Sequence, residues 1–314
     1  MLELKLFGTG YASYKGQLLV GFPAQQASLL LCYLLLNPHA HHRERLAAVF
    51  WEDSSAHISR KNLSQTLWRL RHILQSVDAP ADDYLVIEKD RIIFNKESAY
   101  WLDIEIFEQT LIRYQDIPGH KLTLEQAGEI ERAIALYTGD LLEGVYEDWC
   151  LLIRERLNLL CLDTLGKLMI FHECNHTYEQ GLACGERILE NDNTRERVHQ
   201  QMMRLYALAG QRSAALAQYK KSLQILRDEL NATPMKETTQ LYEEILQNRF
   251  QPETEFNNAP PDTALAPLIL SDESLQKVAA LSLQKLTHLQ RIIDETGAEL
   301  RQLERLIRRT LLDS

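Results

Sequence analysis

Residues 54–76, SSAHISRKNLSQTLWRLRHILQS, carry side chains whose types and spacing suit binding to a negatively charged partner. An apolar seam of Leu63, Leu67, Leu70 and Leu74 recurs at helical spacing and turns one face inward. The opposite face then presents Lys61, Asn62, Gln65, Trp68, Arg69 and His72, with Arg60 and Arg71 on its flanks. The segment holds no Asp or Glu, although the whole chain has a net charge of −10. Asn and Gln can bond an adenine edge bidentately and Arg a guanine edge, in a groove wide enough for a helix. Flanking Arg and Lys supply the salt-dependent, sequence-blind share of affinity for phosphates. A solvated helix face is the plainer meaning of such a run. The missing acids and the outward amides favour double-stranded DNA. Trp68 leaves two roles open, contact with a thymine methyl or sugar and packing against a neighbouring domain.

Other constellations carry less. Phe171-His172-Glu173-Cys174-Asn175-His176, with Cys184 nearby, has the density of a metal site. A structural zinc site needs four converging ligands, however, and Cys174 points away from the face shared by His172 and His176. No metal or other cofactor is therefore expected. His39, His41 and His42 read as a solvated or phosphate-adjacent loop. There is no nucleophile elbow, no phosphate loop of the G-x-x-x-x-G-K-[ST] form and no carboxylate pair with a defined partner, so the chain reads as a non-enzyme. Glu143, Glu147 and Asp148 read as structural acids.

The elements that must position the basic helix are legible around it. LELKLFG (2–8), YASY (11–14) and QLLV (17–20) read as short strands, with Lys15-Gly16 as a turn pair. Pro23 opens a helix running through Leu36, and a second helix runs from Arg43 through Val49 to Trp51. Ser54 or Ser55 caps the basic helix. YLVIEK (84–89) and RIIFN (91–95) form a hairpin about Asp90, and Lys89 and Arg91 beside its turn sit where a wing meets the DNA backbone or minor groove. The order is that of a winged helix with an extra N-terminal sheet, over residues 1–100.

From Asp103 helical periodicity takes over. Leu168, Phe171, Cys174, Leu182, Ala183 and Leu189 recur 34 residues later as Met202, Leu205, Leu208, Leu216, Ala217 and Leu223, and Gly181 recurs as Ala215. This is the spacing of a tetratricopeptide-type repeat, whose surfaces hold partner segments or effectors. The fold class is mainly α with a small α+β N-terminal domain. A helical domain occupies 101–250, a polar, Pro-rich linker 251–270 and a helical segment 271–314. In that last segment Leu275, Ala279, Leu286, Leu289, Ile293, Leu300, Leu303 and Ile307 follow a heptad seam, suiting a coiled coil or a hairpin broken near Gly297.

Charge is uneven, with 11 Lys/Arg against 10 Asp/Glu in residues 1–100 and a net −11 beyond them. That pattern suits a local nucleic-acid module joined to an acidic domain. The five cysteines form no ladder of short spacings, the start has no signal peptide, and no apolar run spans a bilayer. A cytoplasmic chain without a membrane partner is expected.

RERLAAVFWEDSS (43–55), SRKNLSQTLWRLRHIL (59–74), RIIFN and WLDIEIFE (101–108) resemble the response-regulator-type winged helix of SARP-like regulators, the antibiotic regulatory protein family. ALYTGDLLEG (135–144), YEDW (146–149), RERL (154–157) and the stretch 195–245 resemble the bacterial transcriptional activator domain that accompanies it. The resemblance covers about residues 1–248. It implies binding to direct-repeat promoter DNA as a dimer or paired monomers, and contact with RNA polymerase or its sigma factor. It makes the third helix the recognition helix, and adds Arg43 and Arg45 to Arg60 and Arg71 as backbone contacts. Two departures stand out. Ala24-Gln25-Gln26 replaces basic residues at the start of helix one, and Trp68 replaces a small polar residue. The alternative, from another class, is a protein-interaction adaptor whose winged helix no longer reads DNA.

Overall fold

The computed structural model describes residues 1–251; the expected linker and heptad segment lie outside the described residues. The chain opens with β1 (Leu2–Lys5), β2 (Tyr11–Tyr14) and β3 (Gln17–Leu18). Leu2 and Leu4 alternate inward, as a half-buried strand requires. The β2–β3 turn is Lys15-Gly16, both at positive φ, the geometry that matches strand twist in a two-residue hairpin.

Helix α1 (Gln26–Leu36) starts three residues later than the sequence suggests. Residues 20–25 form a turn instead, with Gly21 at φ +80° and the Gln25 amide donating to its carbonyl at 3.1 Å. Apolar on nearly every side, α1 is the central helix of the first hundred residues. Strand β4 (His41–His42) follows, then α2 (Arg43–Phe50) and α3 (Ala56–Gln75). A short α4 (Ala81–Tyr84) leads into the hairpin of β5 (Leu85–Glu88) and β6 (Arg91–Phe94). Strand β4 adds to β6, so the wing is a three-stranded antiparallel sheet in the order β4-β6-β5.

His41 and His42 are therefore strand residues, not loop residues. His41 is buried, its ring 5.2 Å from Tyr33 and 4.1 Å from His39, and its Nε2 bonds the Asn37 carbonyl at 2.8 Å. Burial pushes its pKa below the usual imidazole range. Val49, counted in the apolar run of α2, is 37% exposed.

Strand β7 (Tyr100–Leu102) returns to pair parallel with β1, giving the sheet order β3-β2-β1-β7. Helix α5 (Asp103–Arg113) follows at once. Its Asp103 is buried at the N-terminal turn, where the carboxylate accepts from the Leu6 and Phe7 amides at 2.9–3.1 Å and from the Ile104 amide at 2.8 Å. Burial raises its pKa and the three amides oppose that rise.

The helical part continues with α6 (Leu124–Ile134), α7 (Asp148–Cys174), α8 (Tyr178–Asn191), α9 (Glu196–Leu208), α10 (Arg212–Leu230) and α11 (Lys236–Leu246). Thr123 and Gln126 form a capping box at α6. Glu147 is the N-cap position of α7, and Asp148 in its first turn complements the helix dipole. The 34-residue repeat maps onto the paired helices α7–α8 and α9–α10. A Cβ on Gly181 would lie 3.0 Å from Leu205 and 3.3 Å from His172, which is why the small residue stands there. Ala215 at the matching position is fully buried. Ala183 and Ala217 correspond as expected, but both are exposed, so they mark an outer face and not the core.

One core runs through both parts. Between α6 and α7 the segment ALYTGDLLEG lies along the loop after β1. Gly8 donates to Asp140, Leu142 to Leu6 and Glu143 to Gly8, each at 2.8 Å. Phe7 packs between Phe107 and Tyr137, at 5.1 and 4.8 Å. At the start of α7, Trp149 lies against Tyr33 of α1 and Phe50 of α2, at 5.3 and 6.3 Å. Residues 1–251 accordingly lie within one compact unit.

Candidate nucleic-acid interface

Leu63, Leu67, Leu70 and Leu74 of α3 are all buried, so the apolar seam faces inward as its spacing requires. Ser59 fixes the start of the helix. It is buried, and its hydroxyl lies 3.2 Å from the Trp51 carbonyl and 3.1 Å from that of Ser55, tying α3 to the turn from α2. The Ser55 side chain makes no capping bond, although its residue occupies the N-cap. Arg43 makes the second tie, its guanidinium donating to Ser64 Oγ at 3.0 Å. Helices α2 and α3 are thereby locked as a helix-turn-helix.

With the seam inward, Lys61, Gln65, Trp68, Arg69 and His72 are exposed and Asn62 is half-buried at the edge of the same arc. Trp68 is 66% exposed, so it does not pack against the helical part. Its indole stacks on the His72 imidazole one turn later, with ring centroids 5.4 Å apart and planes 4° from parallel. Ile58, 50% exposed, lies on the same arc nearer the helix start. The sequence reading passed over it because an apolar residue outside the Leu seam has no periodic signal.

The flanking cations divide into two groups. Arg60 pairs with Glu44 of α2 at 3.1 Å and Arg71 with Asp82 of α4 at 3.0 Å. Both pairs are exposed, and such pairs contribute only about 0–1 kcal/mol, so a phosphate could displace either acid. Arg43, Arg45, Lys61, Arg69, Lys89 and Arg91 have no ion pair among the described residues. The wing turn comes close to α2 and α3. His42 Nδ1 lies 2.9 Å from Asp90, and the Arg43 amide donates to the Asp90 carbonyl at 2.8 Å. Lys89 stands beside it at φ +43°. Cations Arg43, Arg60 and Lys89, acids Glu44 and Asp90, and His42 and Ser64 line an open cleft of about 610 Å³ between the wing and α3. His42 and Ser64 belong to it only through packing, which no local motif announces.

The helical part keeps its polar groups inside. Buried Glu173 accepts from Gln201 and lies 3.4 Å from Arg204. His172, in the last turn of α7, is buried between Thr177 Oγ1 at 2.8 Å and Glu131 at 3.2 Å. Cys174 is half-buried beside it, and no cluster that could hold a metal ion occurs among the described residues. None of the described helices is long and apolar enough to cross a membrane.

Residues 102–246 match the family described as bacterial transcriptional activator domain. Among solved structures, that of Mycobacterium tuberculosis EmbR in complex with low affinity phosphopeptide is similar in fold. Its TM-score is 0.58 and its identity 15%, over 90% of this chain and 71% of that one. No curated protein matches the sequence. Residues 102–246 thus carry a bacterial transcriptional activator domain, and a winged helix precedes it in the chain.

Proposed function

We propose that the chain is a sequence-specific DNA-binding regulator, of the activating kind, whose residues 1–100 read promoter direct repeats. The observation that carries this reading is the acid-free face of α3, exposed beside a wing, on which Lys61 and Arg69 have no acid partner among the described residues. Lys61, Asn62, Gln65, Trp68, Arg69 and His72 face the bases. Arg43, Arg45, Arg60, Arg71, Lys89 and Arg91 hold the backbone. Residues 101–250 contact RNA polymerase or its sigma factor, and their helical-repeat surface receives a protein or small-molecule effector. The chain works in the cytoplasm as a pair, joined through residues 271–314.

The four backbone cations without an acid partner, Arg43, Arg45, Lys89 and Arg91, give a single copy a salt slope of only about −3.6 in log K against log salt. Pairing on a direct repeat supplies the rest of the affinity. The test is a gel shift on DNA upstream of the chain's own operon. Changing Lys61, Gln65 and Arg69 together to Ala should weaken binding at least ~100-fold, by about 1 kcal/mol or more per lost contact. Retained binding would rule out α3 as the reading helix. Sedimentation of the chain ended at Phe250 checks the pairing, which an unchanged mass would refute.

One observation favours an adaptor instead. Glu44 and Asp82 already neutralise Arg60 and Arg71. On that reading the gel shift shows no complex at any salt.

A further inference from the structure

We infer that Trp68, held flat by His72, reads a thymine methyl group, so that this winged helix requires thymine at one fixed position of its half-site. The inference rests on α3 being the DNA-reading helix and adds which base its centre selects.

Exposure alone would not carry this, since single apolar residues are common on protein surfaces. Three further observations do. First, the indole is oriented: it stacks on the His72 ring at 5.4 Å and 4°, which fixes one broad apolar face along the helix. Second, it lies on the exposed arc of the helix away from the buried leucines, about one turn from both Gln65 and His72. In a helix laid in the major groove that place meets base edges and not phosphates. Third, α3 lacks any acid that would repel the groove, and its flanking Arg71 is paired with Asp82 of α4. In the major groove the bases offer donors and acceptors, and one bulky apolar group, the C5-methyl of thymine. Among the groups on the base edges, that methyl is the one an indole face matches. Gln65 can then bond an adjacent adenine edge, and Arg69 a guanine edge. His72 is a positioning residue: it fixes the rotamer of Trp68.

The test uses the full chain and a random-sequence duplex pool. The enriched site is resynthesised with each thymine in turn replaced by deoxyuridine, which removes only the methyl. At one position per half-site this should weaken binding about fourfold, the effect of one buried methyl. In Trp68→Ala the same replacement should change affinity less than twofold, as it should in His72→Ala. His72→Phe, which keeps a flat ring under the indole, should restore the fourfold effect. Melting curves of the variants should match the parent, because both side chains are exposed. Indifference of the enriched site to every deoxyuridine overturns the inference. So does a fourfold effect that persists in Trp68→Ala, which assigns the methyl to another residue. A pool with no enriched sequence defeats the DNA-reading proposal itself, and this inference with it.

Discussion

Arginine does opposite work in the two parts of this molecule. On α3, Arg69 projects from the exposed face with no acid beside it among the described residues. In the helical part, three arginines hold the chain's own carbonyls. Arg154 of α7 donates to Leu141, Leu142 and Val145, each at 2.9 Å. Arg187 of α8 reaches the carbonyls of Ile134 and Tyr137 at the end of α6. Arg212 of α10 reaches Ile245 at 2.9 Å and Leu246 beside it, at the end of α11. The last carbonyls of a helix lack intrahelical partners and carry partial negative charge, which a guanidinium satisfies. The lesson concerns availability. A cation already bonded to carbonyls in the fold is lost to an outside anion, whereas α3 leaves its central cations unoccupied.

The largest expected effect tests the carbonyl-bound class. Arg154→Met should destabilise the chain by about 2–4 kcal/mol, because it strands three half-enclosed carbonyls. Arg69→Met on α3 should change stability by less than about 0.5 kcal/mol. Urea unfolding of both variants measures this, and equal losses would erase the distinction between the two sets of arginines.

A smaller effect follows from the polar groups that the helical part encloses. His199 is buried, with Nε2 2.8 Å from the Asn193 carbonyl and Nδ1 2.7 Å from Gln218 Nε2. Burial lowers its pKa below the usual 6.5, with Lys221 acting in the same direction and the Asn193 carbonyl and Glu196 opposing. Between the lowered folded value and 6.5 the unfolded chain binds more protons, so stability rises with pH there. Its contribution is complete above about pH 6.5 and declines as pH falls through that value toward the folded pKa. His172, lowered by burial against the pull of Glu131, adds in the same sense. Urea midpoints at pH 7.5 and 5.5 should therefore differ, and less so in His199→Gln. A slope identical in that variant would remove His199 from the account.

The smallest effect concerns the two arginines between the classes. Glu44→Gln with Asp82→Asn releases Arg60 and Arg71. DNA affinity at low salt should rise about two- to fivefold, and the salt slope should steepen by up to ~0.9 per freed cation. An unchanged slope would mean that neither arginine reaches a phosphate.

What could be read without the fold depended on distance along the chain. The four leucines of α3, the 34-residue correspondence and both hairpin turns are patterns within one or two elements, and helical and strand periods expose them directly. Strands β4 and β7 escaped notice because two or three residues carry no period, and their partners lie about fifty and about a hundred residues away. The start of α1 was misplaced because a proline that suits a first helical turn also suits the turn before it. For the reading face, the residue types were legible from spacing alone. The ion pairs of Arg60 and Arg71 were not, since their acids come from other elements.

Sequence by itself determined that α3 would be a helix with one apolar and one acid-free face, because side-chain order and helical pitch suffice for that. It also determined the repeat, since hydrophobic period and length survive without contacts. Tertiary structure decided which cations stay available, that Trp68 faces solvent on a histidine ring, and that residues 1–100 share one core with the activator domain. Those outcomes depend on groups distant in the chain meeting in space, and pairwise geometry of that kind is set only when the whole core packs.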